Sequence, residues 1–368
     1  MLRTGGMLLM ALLLIAATLL LAFANGANDV SKGIATLVGS GLSHYRPAVL
    51  WGSLCTVAGG LAAAFASQAL VATFSGNGIL LESGSNSRIL LAVAAGAIGW
   101  LLIATSTGLP VSTTHSIAGA LIGAAIVSGG TSGVAWGAVA AKVALPLLAS
   151  PLLSLLIVVA LLPMVRPLLG RVDRYCVCLE QRELVAITSA GTSYRERLSS
   201  IETRSAESCA TPVARFTAVD LLHWLSSGAT SFFRGMNDTP KILALGIGAA
   251  AAGGVAAGHA YMLVALAMGA GSVIAGFRVT HTLARKVTPI TPSNGFAANV
   301  VTSVLVALAS RFALPVSTTH VSSGAIIGIG VSAGDNALRW RTVARMLAAW
   351  VVTLPVSALL AALFVILL

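Results

Sequence analysis

Long apolar stretches separated by short polar gaps dominate the pattern along this chain. A helix that crosses a bilayer needs about 20 mostly apolar residues, because it rises about 1.5 Å per residue through a hydrocarbon core about 30 Å thick. Several stretches have this length and predict membrane-spanning helices. The clearest are Met7–Ala24, Pro47–Thr73, Ile89–Thr107, Val134–Val165, Ala256–Phe277 and Thr342–Leu368.

The composition agrees with this pattern. Of the 368 residues, 57% are hydrophobic and only 9% are charged. Soluble domains carry about 25% charged residues, so this chain has too few charges to cover a water-exposed surface. The sequence therefore predicts an all-α polytopic membrane protein.

One polar segment with charges of both signs interrupts the apolar pattern between Arg166 and Asp220. It divides the chain into an N-terminal transmembrane repeat (1–165), a polar cytoplasmic connector (166–220) and a C-terminal transmembrane repeat (221–368). Mixed charges are typical of a solvated surface. We expect the connector to be partly helical or disordered and to carry no chemistry, in preference to a regulatory domain.

The two halves carry the same two motifs in the same order. G-x-N-D-x-x-K occurs at Gly26–Lys32 and Gly235–Lys241, and PVSTTH occurs at Pro110–His115 and Pro315–His320. Such self-similarity indicates a duplicated structural unit. Duplicated halves are a common plan of secondary transporters, and a second half inverted relative to the first would make the motif copies face one another.

The duplication also bears on the apolar N-terminus, which has the appearance of a secretory leader. Met7–Ala24 stands where Phe216–Arg234 stands in the second half. Because that internal counterpart cannot be removed as a leader, we interpret Met7–Ala24 as a retained first span.

Basic residues concentrate in short gaps between the predicted spans. The net charge is +11, and cytoplasmic loops of membrane proteins are enriched in Lys and Arg, which accounts for this excess without a nucleic-acid partner. The sequence thus predicts a multi-pass protein of the cell (inner) membrane with both termini extracytoplasmic. The basic gaps contain His44/Arg46, Arg285/Lys286 and Arg339/Arg341/Arg345.

The first motif places polar side chains at the end of an apolar stretch. Asn25, Asn28, Asp29 and Lys32 recur at helical spacing and therefore share one face of a helix. The nearby glycines weaken the helix, which suits an unwound segment that lines a cavity. Four Asp and Lys charges in the two copies would cost on the order of 10 kcal/mol if left unpaired in a bilayer, so we expect a functional site.

Carboxylate and amide oxygens are hard donors that suit a small cation. The sequence therefore predicts a coupling-ion site, with no other cofactor or metal. Each Asp could instead form a structural ion pair with its own Lys three residues on. The three basic side chains of these segments would attract an anion or balance charge. The predicted cation ligands are Asn25, Asn28, Asp29, Asn237 and Asp238, and the basic side chains are Lys32, Arg234 and Lys241.

The second motif is typical of a helix start, because Pro, Ser and Thr are favoured there. It predicts an anion site where hydroxyls and free backbone N–H groups converge under a favourable helix dipole. Ordinary helix capping would explain one copy, but two facing copies favour a tetrahedral oxyanion. His115 and His320 would orient a hydroxyl, relay a proton or serve structure alone. The predicted anion-binding hydroxyls belong to Ser112, Thr113, Thr114, Ser317, Thr318 and Thr319.

These motifs resemble those of the PiT-type inorganic phosphate transporters over nearly the whole chain outside the connector. The resemblance implies an inverted-repeat fold with broken helices and two re-entrant helical hairpins, whose tips bind phosphate together with Asn28 and Asn237. Members couple transport to sodium or protons, and the family's usual GANDVANA reads GANDVSKG here. The matching residues are GANDV (Gly26–Val30), Asn237–Asp238, both PVSTTH copies and WVVTLPV (Trp350–Val356).

The sequence as a whole predicts a secondary active transporter, not an enzyme, that moves inorganic phosphate by alternating access coupled to sodium or protons. Its partners would be phosphate and the lipid bilayer, with a homo-oligomeric state left open. A sulfate permease of the same fold and a passive anion channel are the alternatives. A membrane-embedded enzyme is disfavoured because the polar residues form two equivalent sets instead of one catalytic set.

Overall fold

A computed structural model describes most of the chain. Among the described residues, seven helical segments are long and apolar enough to cross a membrane. The helical membrane architecture expected from the apolar pattern is therefore confirmed. The described residues are 2–66, 68–74, 86–173, 175–187, 193–205, 214–312, 314, 316–334 and 337–368.

Helices form both halves of the molecule. In the first half they are α1 (Leu2–Asp29), α2 (Ser31–Gly39), α3 (Tyr45–Ala66), α4 (Gln68–Phe74), α5 (Ser87–Thr107), α6 (Thr113–Gly129), α7 (Trp136–Ala138) and α8 (Leu145–Val172). A 3₁₀ turn (Thr131–Gly133) and a π-helical stretch (Val139–Ala144) flank α7. In the second half they are α9 (Ala218–Ala252), α10 (Ala257–Ala275), α11 (Phe277–Arg285), α12 (Pro292–Arg311), α13 (Thr318–Ala333) and α14 (Trp340–Leu367).

The polar connector differs from the expectation of partial helix or disorder. Its described residues include three antiparallel strands in the order β2-β1-β3, namely β1 (Tyr175–Ile187), β2 (Ser193–Ser205) and β3 (Ala214–Thr217). Cys176 and Cys178 are buried while Val177 between them is exposed, which is the two-residue period of a strand. Helix α8 continues to Val172, within the segment assigned to the connector.

Equivalent helices of the two halves make equivalent contacts. Helix α3 packs against α9 and α10 packs against α1; α6 packs against α14 and α13 packs against α8. Each of these contacts between the two halves thus has a counterpart. This is the arrangement expected for two copies of one unit related by a two-fold axis.

Glycines at equivalent positions allow these helices to approach closely. A Cβ atom on Gly59 of α3 would lie 1.9 Å from the Phe232 carbonyl oxygen of α9. A Cβ atom on Gly271 of α10 would lie 2.0 Å from the Phe23 carbonyl oxygen of α1. Small residues at such seams let helix backbones pack directly, which is the main attraction between helices in a membrane.

The first motif copy lies where α1 ends at Asp29 and α2 begins at Ser31, and Val30 between them keeps helical dihedral angles. The unwound segment expected from the glycines is therefore no more than one irregular turn. The second copy lies inside the continuous helix α9, with Pro240 included in it. Ile242 stands where the first copy has Gly33, so the second copy lacks one of the two helix-weakening glycines.

Two helical hairpins, α5–α6 and α12–α13, carry the PVSTTH motifs at their tips. Helix α5 ends at Gly108, whose φ of 72° lies in the left-handed region that favours glycine. The Gly108 N–H donates to the carbonyl oxygens of the last turn of α5. This turn sends the chain back through the tip and into α6.

Candidate functional site

The hairpin tips are two nearly identical helix caps. The Ser112 hydroxyl accepts a hydrogen bond from the His115 N–H at 3.2 Å, and the Ser317 hydroxyl accepts one from the His320 N–H at 3.2 Å. The N–H groups of each first helical turn have no partner within the helix. Both tips therefore present hydroxyls and N–H donors at the positive end of a helix dipole, as the sequence predicts.

The two tips bind each other. The Thr319 hydroxyl donates to the Val111 carbonyl oxygen at 2.8 Å, and the Thr114 hydroxyl lies 3.5 Å from the Val316 carbonyl oxygen. Each tip thus reaches the backbone of the other through the same threonine of the motif. The structure brings together the two copies that are far apart in sequence.

Asn25 joins the first tip to both aspartates. Its Nδ2 lies 2.9 Å from the Thr113 hydroxyl, 3.2 Å from Asp29 Oδ2 and 3.3 Å from Asp238 Oδ2. The carboxylates of both motif copies therefore converge on one amide nitrogen. All four side chains are at least nine-tenths buried.

The paired asparagines hold the hairpin tips in place. Asn28 donates to the Thr105 hydroxyl at 3.1 Å and the Leu109 carbonyl oxygen at 3.0 Å, and its Oδ1 accepts from the Val111 N–H. Asn237 donates to the Val316 carbonyl oxygen at 3.4 Å. Its Oδ1 accepts a hydrogen bond from the Ser310 hydroxyl at 3.3 Å. Each asparagine thus links one motif to the hairpin of its own half.

The basic side chains lie beside the carboxylates, and each Lys pairs with the Asp three residues before it. Lys32 Nζ lies 2.6 Å from Asp29 Oδ1, and Lys241 Nζ lies 3.6 Å from Asp238 Oδ1. Lys241 also donates to the Thr114 hydroxyl at 3.0 Å. The ion pairing that the sequence offered as an alternative is therefore present, but Lys241 also contacts the opposite hairpin tip.

Arg234 occupies the position that Asn25 occupies in the first copy, and it is 1% exposed. One of its terminal nitrogens donates to the Thr56 hydroxyl at 2.8 Å, while Nε and Nη1 have no hydrogen-bond partner among the described residues. Its guanidinium interacts electrostatically with Asp29 and Asp238. This leaves a buried cation with unused donors near the two carboxylates.

The two histidines of the motifs contact each other. The ring centroids of His115 and His320 are 4.4 Å apart, and His320 stacks on Trp350 at 4.0 Å. His320 Nδ1 lies 3.1 Å from the Leu147 carbonyl oxygen, and Trp350 Nε1 donates to the Pro110 carbonyl oxygen. This stack ties α14 to both tips, while a role in proton relay or hydroxyl orientation stays a prediction.

The sequence analysis did not predict some of the polar residues that contact the site, notably Thr56, Thr105 and Ser310. Thr105 and Ser310 contact Asn28 and Asn237 respectively, and each lies at the same distance before its PVSTTH motif. Aligning the two halves around the motifs would have found this pair. Nothing in the local sequence marks Thr56, since its role depends on the packing of α3 against α9.

Comparisons with known proteins show the family of this chain. The model of the phosphate transporter family matches residues 25–361. The chain belongs to this family. Among its relatives in the family, the chloroplastic inorganic phosphate transporter 2-1 of Arabidopsis thaliana is 31% identical, over 98% of this chain and 73% of that protein. A probable low-affinity inorganic phosphate transporter of Rhizobium meliloti is 27% identical, over 95% of this chain and 94% of that protein.

A solved structure of a transporter shares the same fold. This structure, named the sodium-dependent phosphate transporter, superposes with a TM-score of 0.76 at 23% identity, over 97% of this chain and 98% of that chain. The predicted fold class, a helical inverted-repeat transporter with two re-entrant hairpins, is confirmed. The resemblance to PiT-type transporters is confirmed as well.

Proposed function

We propose that this chain is a secondary active transporter that moves inorganic phosphate across the cell (inner) membrane by alternating access. One observation carries the proposal: two helix tips rich in hydroxyl and N–H donors are hydrogen-bonded to each other and to both Asn-Asp segments. Donors that converge from opposite sides suit a tetrahedral oxyanion. The names of the relatives support phosphate as that anion.

The proposed anion ligands are the tip hydroxyls and first-turn N–H groups, with Asn28 and Asn237 fixing the tips. Thr114 and Thr319 now satisfy their hydroxyls on the opposite tip. Opening one hairpin would break these contacts and free donors toward one side of the membrane. Repeat transporters of inverted type commonly expose a fixed central site in turn to each side by such movements of one unit against the other.

We further propose that a cation at the Asn-Asp segments offsets the charge of the anion, with sodium or a proton as the coupling ion. The proposed ligands are Asn25, Asn28, Asp29, Asn237 and Asp238. In the first copy, however, oxygens of Asn28 and Asp29 already contact the Lys32 ammonium group. While the Lys32 ammonium group occupies these oxygens, they cannot also bind a sodium ion.

Uptake of radiolabelled phosphate into proteoliposomes tests the proposed function. We expect slow, saturable uptake that excess sulfate does not reduce. Inhibition by sulfate in proportion to its concentration would identify a sulfate permease of the same fold. Ionic currents through the same proteoliposomes that do not saturate with phosphate concentration would identify a channel. Uptake no higher than that of empty liposomes would contradict the proposal.

Basic residues also support an orientation in the membrane. Arg339 donates through Nη1 to the Arg285 carbonyl oxygen at 2.8 Å and through its backbone N–H to the Val287 carbonyl oxygen at 3.0 Å. Two of the basic gaps therefore lie together on one side of the molecule. We propose that this side is cytoplasmic, which would place both termini on the extracytoplasmic side.

A further inference from the structure

The Lys32 ammonium group has the surroundings of a bound metal cation. Its Nζ lies 2.9 Å from the Asn28 carbonyl oxygen, 3.0 Å from Asn28 Oδ1 and 2.6 Å from Asp29 Oδ1. These are one backbone carbonyl, one amide and one carboxylate oxygen, the hard donors that sodium takes at a helix break in a transporter. Since an ammonium group has three N–H donors, the three oxygens match its full capacity.

Lys241 has oxygens of the same three kinds around it, although two of them come from the hairpin tips and not from its own motif. Its Nζ lies 2.8 Å from the Val316 carbonyl oxygen, 3.0 Å from the Thr114 hydroxyl and 3.6 Å from Asp238 Oδ1. The ammonium is again surrounded by a carbonyl, a neutral side-chain oxygen and a carboxylate. Lys32 and Lys241 are 0% and 1% exposed and rank among the largest fully buried side chains in the described part of the chain.

The charges at the centre leave little need for an additional cation. Among the described residues, three cationic side chains lie there with two carboxylates, so the ionised site carries one positive charge in excess: Lys32, Lys241 and Arg234 against Asp29 and Asp238. Monovalent phosphate would neutralise that excess. A sodium ion at the same oxygens would instead stand a few ångströms from an ammonium group in a water-poor interior, where repulsion between like charges is strong.

We propose that the Lys32 and Lys241 ammonium groups are built-in counter-cations that stand in for a coupling sodium ion, so that this chain transports phosphate without sodium. The inference rests on the proposed function and narrows it. Three of the residues predicted to bind a coupling cation, Asn28, Asp29 and Asp238, do hold a cation. That cation is tethered to the chain and does not cross the membrane. Of the two candidate coupling ions, the proton remains.

Replacing sodium by choline in the uptake assay at one fixed pH tests the proposal. We expect wild-type phosphate uptake to be the same with either cation. Loss of a true coupling ion should change substrate affinity by about 5-fold or more, the usual size of coupling between two sites. A decrease of that size in the affinity for phosphate when choline replaces sodium would overturn the proposal. No uptake with either cation would instead refute the proposed function.

Thermal unfolding of the detergent-solubilised protein tests the proposal without transport. A ligand that binds only the folded state raises the melting temperature. We expect equal melting temperatures for the wild type in sodium chloride and choline chloride. A rise specific to sodium at low millimolar concentration would overturn the proposal, whether or not uptake is observed.

The variant Lys32→Ala should gain the response to sodium that we expect the wild type to lack. Removing the ammonium group leaves the Asn28 and Asp29 oxygens facing a vacated space, so sodium should now raise the melting temperature and stimulate uptake relative to choline. Lys286→Ala, which removes an exposed Lys outside the site, is the matched control and should show neither effect. If Lys32→Ala folds but responds to sodium no more than Lys286→Ala, the cation-replacement argument fails. If it does not fold, the two wild-type measurements still decide.

Discussion

The carboxylates of Asp29 and Asp238 come from opposite halves of the chain yet share one donor, the Asn25 amide. Two carboxylates this close repel each other unless cations compensate them. Lys32 and Lys241 supply that compensation as ion pairs. In the proposed site, anion binding would therefore depend on a balance in which each charge keeps its neighbours ionised and in place.

Neutralising either carboxylate should upset this balance. We expect Asp29→Asn and Asp238→Asn each to abolish phosphate uptake. Removing one partner of a buried ion pair lowers the free energy of unfolding by about 3–5 kcal/mol, so the melting temperatures of both variants should fall too. The double variant Asp29→Asn/Lys32→Met removes both charges and should recover stability without recovering uptake. Near-normal uptake by both single variants in proteoliposomes would contradict the assigned role.

The helix contacts of the two halves depend on glycines at equivalent seams. Helix α3 meets α9 at Gly59, and α10 meets α1 at Gly271, each against a backbone carbonyl of an equivalent Phe. In a bilayer the lipid chains are as apolar as the helix surfaces, so close van der Waals packing at such seams replaces the hydrophobic effect. The alignment of the tips between the two halves relies on these contacts.

A methyl group at either seam should therefore destabilise the fold. We expect Gly59→Ala and Gly271→Ala each to lower the free energy of unfolding by about 1–3 kcal/mol, the usual cost of overpacking. Gly248→Ala in α9 is the matched control, because nothing lies within 4 Å of its added Cβ. It should be neutral or slightly stabilising, since Ala favours a helix more than Gly. Thermal unfolding in detergent measures the stability of all three variants. Equal melting temperatures for Gly59→Ala and Gly248→Ala would show that α3 and α9 do not pack closely at Gly59.

Most of the architecture follows from two features of the sequence, the apolar pattern and the duplicated motifs. Apolar length predicts spans, and the motif copies predict the site residues, because a helix cap and a polar helix face are local properties. The contacts of Arg234 with Thr56 depend on how α3 packs against α9, which local sequence does not specify. Strands in the connector were missed because a polar segment with mixed charges gives only a weak two-residue period.

Two of the basic gaps lie together on one side of the molecule, and the proposed helix directions follow from that side. Helix α9 begins next to the connector and its 35 residues are long enough to cross a bilayer, so the turn that joins α9 to α10 lies on the opposite side. If the positive-inside tendency holds, this turn is extracytoplasmic and the gap after α11 is cytoplasmic. Both termini then lie on the side of the α9–α10 turn.

Labelling of single cysteines in intact cells checks this orientation. In a variant without the native cysteines, we expect a membrane-impermeant maleimide to label Ala256→Cys, which is exposed at the start of α10. Lys286→Cys, exposed in the basic gap after α11, should react only after the cells are permeabilised. The reverse labelling pattern would show that the protein has the opposite orientation in the membrane.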